Sequence, residues 1–387
     1  MSERLARRLG TLDATTIGLG SMLGAGVFVA FAPAAAAAGS GLLVALVIAA
    51  FVAYCNASSS ARLAAAYPES GGTYVYGRER LGPWWGFTAG WGFVTGKTAS
   101  CAAMALTFGA YVAPGYEKPV AVAAVLALAA VNYRGITRTA ALTRILLAVV
   151  LAVLVTVVVI GIPRATWQPI TWDGTGILQA AGLLFFAFAG YARIATLGEE
   201  VRDPQRTIPR AILAALAIAV AVYLVVGVTT LGVLGASQLA QSSAPLAQIT
   251  PLARIGAVAG SLGALLALIA GVGRTAMAMA RNRDLPPFLS AVHPRFSVPH
   301  KAEVTMAVFV CGLILAFDVR GAIGFSSFGV LVYYAITNAS AFTMKRSCAP
   351  VAGLAGCVAL VAFLPLSSVL IGLAVFAVGW ATRAITR

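Results

Sequence analysis

The chain alternates long apolar stretches with short polar connections. A helix that crosses a membrane needs about 20 mostly apolar residues. Twelve stretches approach or exceed that length, and the fourth and eleventh are short. They run over about 15–38, 41–65, 84–112, 120–133, 142–162, 176–197, 208–234, 252–280, 302–317, 323–342, 351–363 and 367–380. This pattern predicts an all-α integral membrane protein with about 12 transmembrane helices.

The first and sixth stretches are interrupted near their centres by glycine. The first interruption reads TIGLGSMLGAGVF over 16–28, and the second reads FFAFAGYAR over 185–193. Glycine weakens a helix, and lipid offers no hydrogen-bond partner to the backbone groups that a break frees. Breaks at corresponding places in two halves of a chain indicate a transporter built from inverted repeats, with the substrate site between the breaks.

Composition and charge support the membrane assignment. The 387 residues are 60% hydrophobic and only 10% charged, with a mean hydropathy of +0.92. Soluble domains carry about a quarter charged residues. Most of the 27 Lys and Arg residues lie at the termini or in alternate connections, which predicts that both termini are in the cytoplasm of a cell-membrane protein. Topology thus explains the net charge of +15, and no nucleic-acid partner is expected because the basic residues form no stripe.

Candidate catalytic and metal-binding chemistry is sparse. The five cysteines show no CxxC spacing, and the two histidines, His293 and His300, fall in one connection. No Ser/His/Asp arrangement and no carboxylate pair falls within a predicted span. The sequence therefore predicts that the protein is not an enzyme, and that it carries no cofactor and no metal ion.

Four segments in order along the chain together resemble an amino acid permease. They are GAGVF at 24–28, the Gly71-Gly72 pair, FAFAG at 186–190, and the segment 199–209 with its Glu-Glu, Asp-Pro and Ile-Pro pairs. The chain is similar in these segments to the amino acid–polyamine–organocation (APC) superfamily. The resemblance implies the five-plus-five inverted-repeat fold of the bacterial leucine transporter, with helices 1 and 6 broken.

The resemblance also implies a domain organisation. The transporter core would cover residues 1–345, with a first repeat at about 13–163 and a second at about 174–345. Residues 346–387 would form two additional transmembrane helices outside the core.

The broken helices are the predicted substrate site. A half-helix N-terminus is partly positive and suits a carboxylate, whereas free carbonyls suit an ammonium. By resemblance, the N–H groups of Ala25 and Gly26 would bind the α-carboxylate. The carbonyls of Met22, Phe186 and Ala189 would bind the amine, and Phe186 would also be an aromatic gate. The alternative is that the glycines only permit close helix packing. The predicted substrate-binding residues are Met22, Gly24, Ala25, Gly26, Phe186, Ala189 and Gly190.

One departure from the family pattern concerns charge. Many superfamily members with cationic substrates have an acidic residue in or just after the break of span six, where this chain has Ala192 followed by Arg193. All 12 Asp and Glu residues fall at span ends or in connections. A cationic side chain would find no counter-ion there, which predicts neutral substrates. The alternative is an acidic amino acid or another organic anion, with Arg193 as a pocket charge.

A second departure is Lys97, which lies near the middle of span three. An ionisable residue in a span indicates function, because an unpaired central charge is costly. Some family members carry a lysine in span five in the place of a sodium ion, and here about Val150 fills that place. Lys97 is predicted to supply this ammonium from another helix. The alternative is a locally paired lysine that fixes helix packing.

Three polar connections follow spans two, six and eight, and are predicted to cap helices and pack loops, with a gating role as the alternative. Pro209 is predicted to open the seventh helix. The complete prediction is a secondary-active amino acid transporter or exchanger that works by alternating access, independently of sodium. Its partners would be an amino acid, the lipid bilayer and protons as a candidate coupling ion, with the oligomeric state open. A solute sensor that does not transport is the further alternative.

Overall fold

A computed structural model describes residues 9–68, 71–135, 140–167, 169–195 and 201–386, which are almost entirely helical. The helices are α1 (Thr11–Met22), α2 (Gly26–Val29), α3 (Phe31–Ala38), α4 (Leu42–Ala66), α5 (Thr73–Leu81), α6 (Pro83–Val112), α7 (Glu117–Tyr133), α8 (Ala140–Gly161), α9 (Gly174–Phe188), α10 (Ala192–Ala195), α11 (Pro204–Gln241), α12 (Pro245–Ile249), α13 (Ala253–Arg281), α14 (His300–Ala316), α15 (Val319–Met344), α16 (Cys348–Phe363) and α17 (Leu366–Thr386).

The predicted membrane character is confirmed. Within the described residues, eight helical segments are long and apolar enough to cross a membrane. The four other predicted spans coincide with α6, α7, α14 and α16. Of these, α7 and α14 have 17 residues and α16 has 16. The chain is therefore a multi-pass membrane protein, while a count of twelve spans stays a prediction.

Each of the first five predicted spans has a counterpart five places later, and counterparts make the same helix contacts. Helix α4 in span two packs on α9 in span six, and its counterpart α11 in span seven packs on α1 in span one. In the same way α6 packs on α15 as α13 packs on α8, and α7 packs on α6 as α14 packs on α13. Because five is odd, a second repeat of five spans starts from the opposite side of the membrane, which makes the repeats inverted. The exact repeat boundaries stay a prediction.

Small residues let the core helices approach closely. A Cβ added at Gly96 of α6 would lie 3.2 Å from the Cα of Gly329 in α15, and one at Gly329 would lie 2.8 Å from the carbonyl oxygen of Gly92. Beside this crossing, the hydroxyls of Ser100 and Ser326 are 2.6 Å apart. In lipid, van der Waals contact and interhelical hydrogen bonds hold helices together. The contact fixes spans three and ten against each other.

Helix α11 begins earlier than the sequence suggests. Pro204 occupies its first turn and Pro209 lies inside it, so the prediction that Pro209 opens the helix was wrong. Proline is tolerated in a first turn because the N–H that it lacks has no partner there. Near the other end, Gly235 has a φ of 69° and kinks the helix.

Candidate functional site

The break in span one is a three-residue interruption of the helix. Helix α1 ends at Met22, residues 23–25 are outside any helix, and Gly26 opens α2. Ala25 is completely buried. Within the described chain, the backbone N–H groups of Gly24 and Ala25 have no hydrogen-bond acceptor. The first N–H groups of a helix also lack an intrahelical partner. The break therefore presents backbone donors in a buried place.

The break in span six is tighter. Helix α9 ends at Phe188, the residues Ala189–Tyr191 form one turn of 3₁₀-helix, and α10 continues from Ala192. The N–H of Ala189 donates to the carbonyl of Phe186. The chain changes direction here without leaving helical hydrogen bonding altogether, because a 3₁₀ turn closes over three residues instead of four.

The two breaks pack directly against each other. A Cβ added at Gly26 would lie 2.8 Å from the Cα of Ala187 in span six. One added at Gly190 would lie 2.6 Å from the backbone nitrogen of Met22 in span one. Contacts this short with backbone leave no room for a side chain. Close packing is thus a requirement at both glycines, and their role in substrate binding stays a prediction.

Gly24 faces a third helix instead. A Cβ there would lie 2.6 Å from the Cβ of Ala264 and 3.3 Å from the carbonyl oxygen of Gly260, both in α13. Span one is therefore held at its break between span six and span eight.

Protein groups already contact the carbonyls that the sequence assigns to the substrate amine. The hydroxyl of Tyr223 lies 2.6 Å from the carbonyl oxygen of Met22 and 2.9 Å from that of Ala187. The Nζ of Lys97 donates to the carbonyl of Ala189 at 3.0 Å. A carbonyl oxygen has two lone pairs and can accept a second bond. A substrate amine would share these oxygens with the protein.

Tyr223 is the residue that the sequence analysis missed. It lies on α11, is 1% exposed, and packs edge-on against Phe188 with ring centroids 5.0 Å apart. Its single hydroxyl joins the last turns of the two helices that precede the breaks. A tyrosine in the middle of an otherwise aliphatic span is the signal that would have found it, because a buried tyrosine hydroxyl needs a partner.

The predicted role of Lys97 requires that its side chain contacts a break, and the structure shows such a contact. Lys97 is on α6, buried, and reaches across to span six. Val150, which fills the family's lysine position in span five, is buried on α8. The ammonium therefore meets the tight break, and whether it replaces an ion stays a prediction.

The remaining predicted site residues lie beside the break of span six. Phe186 is 6% exposed on α9, and its gating role is untested. The neighbouring Phe185 and Phe188 rings pack on Tyr334 and Tyr223, respectively. Arg193 is half-buried on α10, two residues beyond the 3₁₀ turn. The two glutamates at positions 199 and 200 lie outside the described residues.

A second polar cluster lies away from the breaks, where α13 ends. The side chain of Asp284 is fully buried; it accepts from the Tyr74 hydroxyl at 2.7 Å and from Arg78 at 3.1 Å, and Arg383 of α17 lies 3.1 Å away. The Arg383 guanidinium also lies 4.6 Å from the ring centre of Phe87. Burial and the Asp284 carboxylate raise the pKa of Tyr74 to about 12, so its hydroxyl stays a donor. The cluster fixes α17 to α5, α6 and α13.

Broken helices that face each other inside an inverted-repeat bundle are typical of membrane transporters. The amino acid permease family model matches residues 9–386, and the chain belongs to that family. An uncharacterized transporter of Mycobacterium bovis is 60% identical, over 100% of this chain and 92% of that protein. A branched-chain amino acid permease of Bacillus subtilis is 29% identical, over 78% and 72% of the two chains. Cationic amino acid transporter 7, chloroplastic, of Arabidopsis thaliana is 26% identical, over 88% and 66%.

Proposed function

We propose that this permease moves neutral amino acids across the cytoplasmic membrane by alternating access and without sodium. The observation that carries the proposal is the bond from the Lys97 ammonium to the Ala189 carbonyl at the break of span six. A fixed positive charge at a broken helix stabilises the free carbonyl groups there, as a bound cation would otherwise do. Sodium would then have no vacant place in the transport cycle.

Substrate binding would use the unwound segment of span one. The N–H groups of Gly24 and Ala25 have no acceptor in the described chain and would bind the α-carboxylate, together with Gly26 at the start of α2. The amine would bind the carbonyls of Met22, Phe186 and Ala189. Gly190 keeps the two breaks close enough for one small zwitterion to reach both sets of groups.

The charges near the breaks favour a neutral side chain. Among the described residues, the buried carboxylates are Asp284 and Glu303, and both lie at helix ends. Lys97 is bonded to the second break, and Arg193 lies on α10, which continues from it. The branched-chain name of the relative from Bacillus subtilis agrees with a neutral substrate. The alternative is an acidic substrate bound by Arg193. The name of the cationic amino acid transporter from Arabidopsis thaliana supports neither a neutral nor an acidic substrate.

The orientation and limits of the core belong to the same proposal. Both termini would lie in the cytoplasm, because most Lys and Arg residues fall at the termini and in alternate connections. The repeats would cover about 13–163 and 174–345, and α16 and α17 would lie outside them. Labelling of single cysteines placed in the connections, in intact cells, would test this topology.

Uptake into proteoliposomes tests the function. We expect neutral amino acids such as leucine and alanine to be taken up equally well in sodium and in choline buffers, and to compete better than lysine or arginine. A strict sodium requirement would remove the proposed role of Lys97. Competition by glutamate alone would favour the acidic alternative. Saturable binding in a thermal-shift assay with no uptake would indicate a sensor.

A further inference from the structure

Glu303 is a buried carboxylate that the transport proposal does not use. It lies in the first turn of α14 and is 3% exposed. Its Oε2 atom is buried and has no hydrogen-bond partner in the described part of the chain. Its Cγ fills the space beside Gly273 of α13, where an added Cβ would lie 2.7 Å away. A carboxylate in such a place is costly while it is ionised, and a bound proton removes that cost.

Asp284 is a buried carboxylate that the protein surrounds with cations and a hydroxyl donor. It lies just beyond α13, near the same end of the bundle, and has two arginines and a tyrosine hydroxyl around it. Within the described residues, Glu303 forms no ion pair of this kind. Two carboxylates with similar burial therefore differ in whether their charge is matched.

The charged groups nearest to Glu303 in the described residues form no ion pair with it, unlike the arginines beside Asp284. From α13, the exposed Arg274 acts on it electrostatically without forming an ion pair. On α7, Tyr133 packs against the His300 ring, and α6 carries Lys97, which is bonded to Ala189. On α14 itself, Lys301 is exposed. The start of a helix favours a negative charge, but this effect is weaker than the cost of burying an unpaired carboxylate.

Two histidines lie on the N-terminal side of Glu303: His300 begins α14, and His293 lies in the connection before it. His300 is three residues before Glu303 on the same helix, a spacing that places both side chains on one face. The Nδ1 atom of His300 is buried and, among the described residues, has no hydrogen-bond partner. Its ring centre is 5.2 Å from that of His293 and 5.9 Å from that of Tyr133. An imidazole can accept a proton on one nitrogen and release one from the other.

We propose that Glu303 is a proton-binding site, which exchanges its proton with the solution on the α13–α14 side through His300 and His293. In each exchange, a proton moves from the His300 imidazolium to a Glu303 carboxylate oxygen, and the Nε2 of His293 takes a proton from the solution and returns it to His300. The Nδ1 of His293 does not take part, because it accepts from the backbone N–H groups of Arg295 and Phe296. We place this side in the cytoplasm, so that cytoplasmic pH acts on the permease at a point remote from the breaks. The proton site does not depend on the proposed function, but its effect on transport does.

Infrared difference spectroscopy of the purified protein without substrate tests the site. Between alkaline and acidic solution, we expect a carbonyl band of a protonated carboxylic acid that Glu303→Gln removes. Asp284→Asn is the matched control and should keep the band. Glu303→Asp retains a carboxyl group and should shift the band, which keeps the test valid if the glutamine variant does not fold. A band unchanged by both Glu303 substitutions would overturn the proposal.

Proteoliposomes in which the pH on each side is set separately test the role in transport. In Glu303→Gln we expect amino acid exchange to persist and to lose its dependence on the pH of the solution on the α13–α14 side. His300→Phe keeps an aromatic ring against Tyr133 and should slow the response of exchange to a pH step on that side while leaving the infrared band in place. A response as fast in His300→Phe as in the parent protein would overturn the histidine path. Failure of transport with an intact infrared result would reject the proposed function and leave the proton site standing.

Discussion

The breaks in spans one and six occupy equivalent places in the two repeats but differ in form. In span one, residues 23–25 leave the helix, and two of their N–H groups have no acceptor in the described chain. In span six, the chain passes through a 3₁₀ turn, and the Ala189 carbonyl accepts from Lys97. One break offers donors and the other offers an acceptor that already holds a cation. A zwitterion, which carries one negative and one positive group, requires this kind of asymmetry.

The helices behind the breaks differ in the same way. Span eight meets the first break with Gly260 and Ala264, which permit close approach and bring no charge. Its counterpart in the other repeat, span three, meets the second break with Lys97. The corresponding spans thus occupy similar places in the two repeats, and Lys97 adds to the second break a charge that Gly260 and Ala264 do not bring to the first.

The largest effect is expected at the first break. Gly26→Val would push a branched side chain against the Ala187 backbone and displace the N–H groups. The loss of two hydrogen bonds to a charged carboxylate corresponds to a weakening of binding on the order of 100-fold, for every substrate alike. Binding measured by thermal shift would check this.

Two controls sharpen the Gly26 result. Gly271→Val places a side chain on α13 where no atom lies within 4 Å of the added Cβ, and it should be silent. Ala25→Ser changes a side chain that need not point at the ligand and should be tolerated better than Gly26→Val. Normal affinity in a folded Gly26→Val protein would show that this segment does not hold the carboxylate.

The next effect concerns the second break. Lys97→Met keeps the length of the side chain and removes its charge, so we expect the protein to fold and net uptake to be lost or uncoupled from its driving ion. Proteoliposome uptake should be measured between about pH 5 and about pH 8, where groups that couple transport to protons change charge. Activity like that of the parent throughout this range would leave Lys97 with a packing role alone.

A smaller effect on binding is expected from Phe186→Ala. If Phe186 gates the substrate, its removal should slow or uncouple transport while changing binding by less than about tenfold, or about 1.4 kcal/mol. Phe185→Ala removes an equally buried neighbour that packs on Tyr334, and it controls for the loss of stability. Equal effects of the two substitutions on transport would reject the gate.

The smallest effect is expected from Tyr223→Phe, which leaves the ring in place and removes the hydroxyl between the two helices. Leaving buried carbonyls without this donor costs about 1–3 kcal/mol, and we expect a lower melting temperature and slower transport. Tyr76→Phe is the control, because the Tyr76 hydroxyl is buried without a partner in the described chain. Equal melting temperatures of the two variants would show that the Tyr223 bonds contribute nothing measurable.

The sequence predicted where the backbone of the candidate site is interrupted, but not which distant side chains meet there. Glycine clusters at 24–26 and at 190 interrupt apolar stretches, and this local signal was sufficient to locate both breaks. The family resemblance added which groups would bind which end of a substrate. Tyr223 was missed because its partners, Met22 and Ala187, are distant in the sequence. No periodicity within α11 reveals them.

The sequence by itself determined that the chain crosses the membrane many times, that it belongs among the permeases, and that spans one and six are interrupted. The crossings and the interruptions follow from the hydropathy and backbone preferences of consecutive residues, which lipid enforces. The family follows from the resemblance of four segments. The tertiary structure alone decided that Lys97 meets Ala189, that Arg78 and Arg383 lie beside Asp284, and that Glu303 forms no ion pair within the described residues. The reason is that the cost of a buried charge depends on the partners that distant helices bring to it, and a linear pattern does not contain those partners.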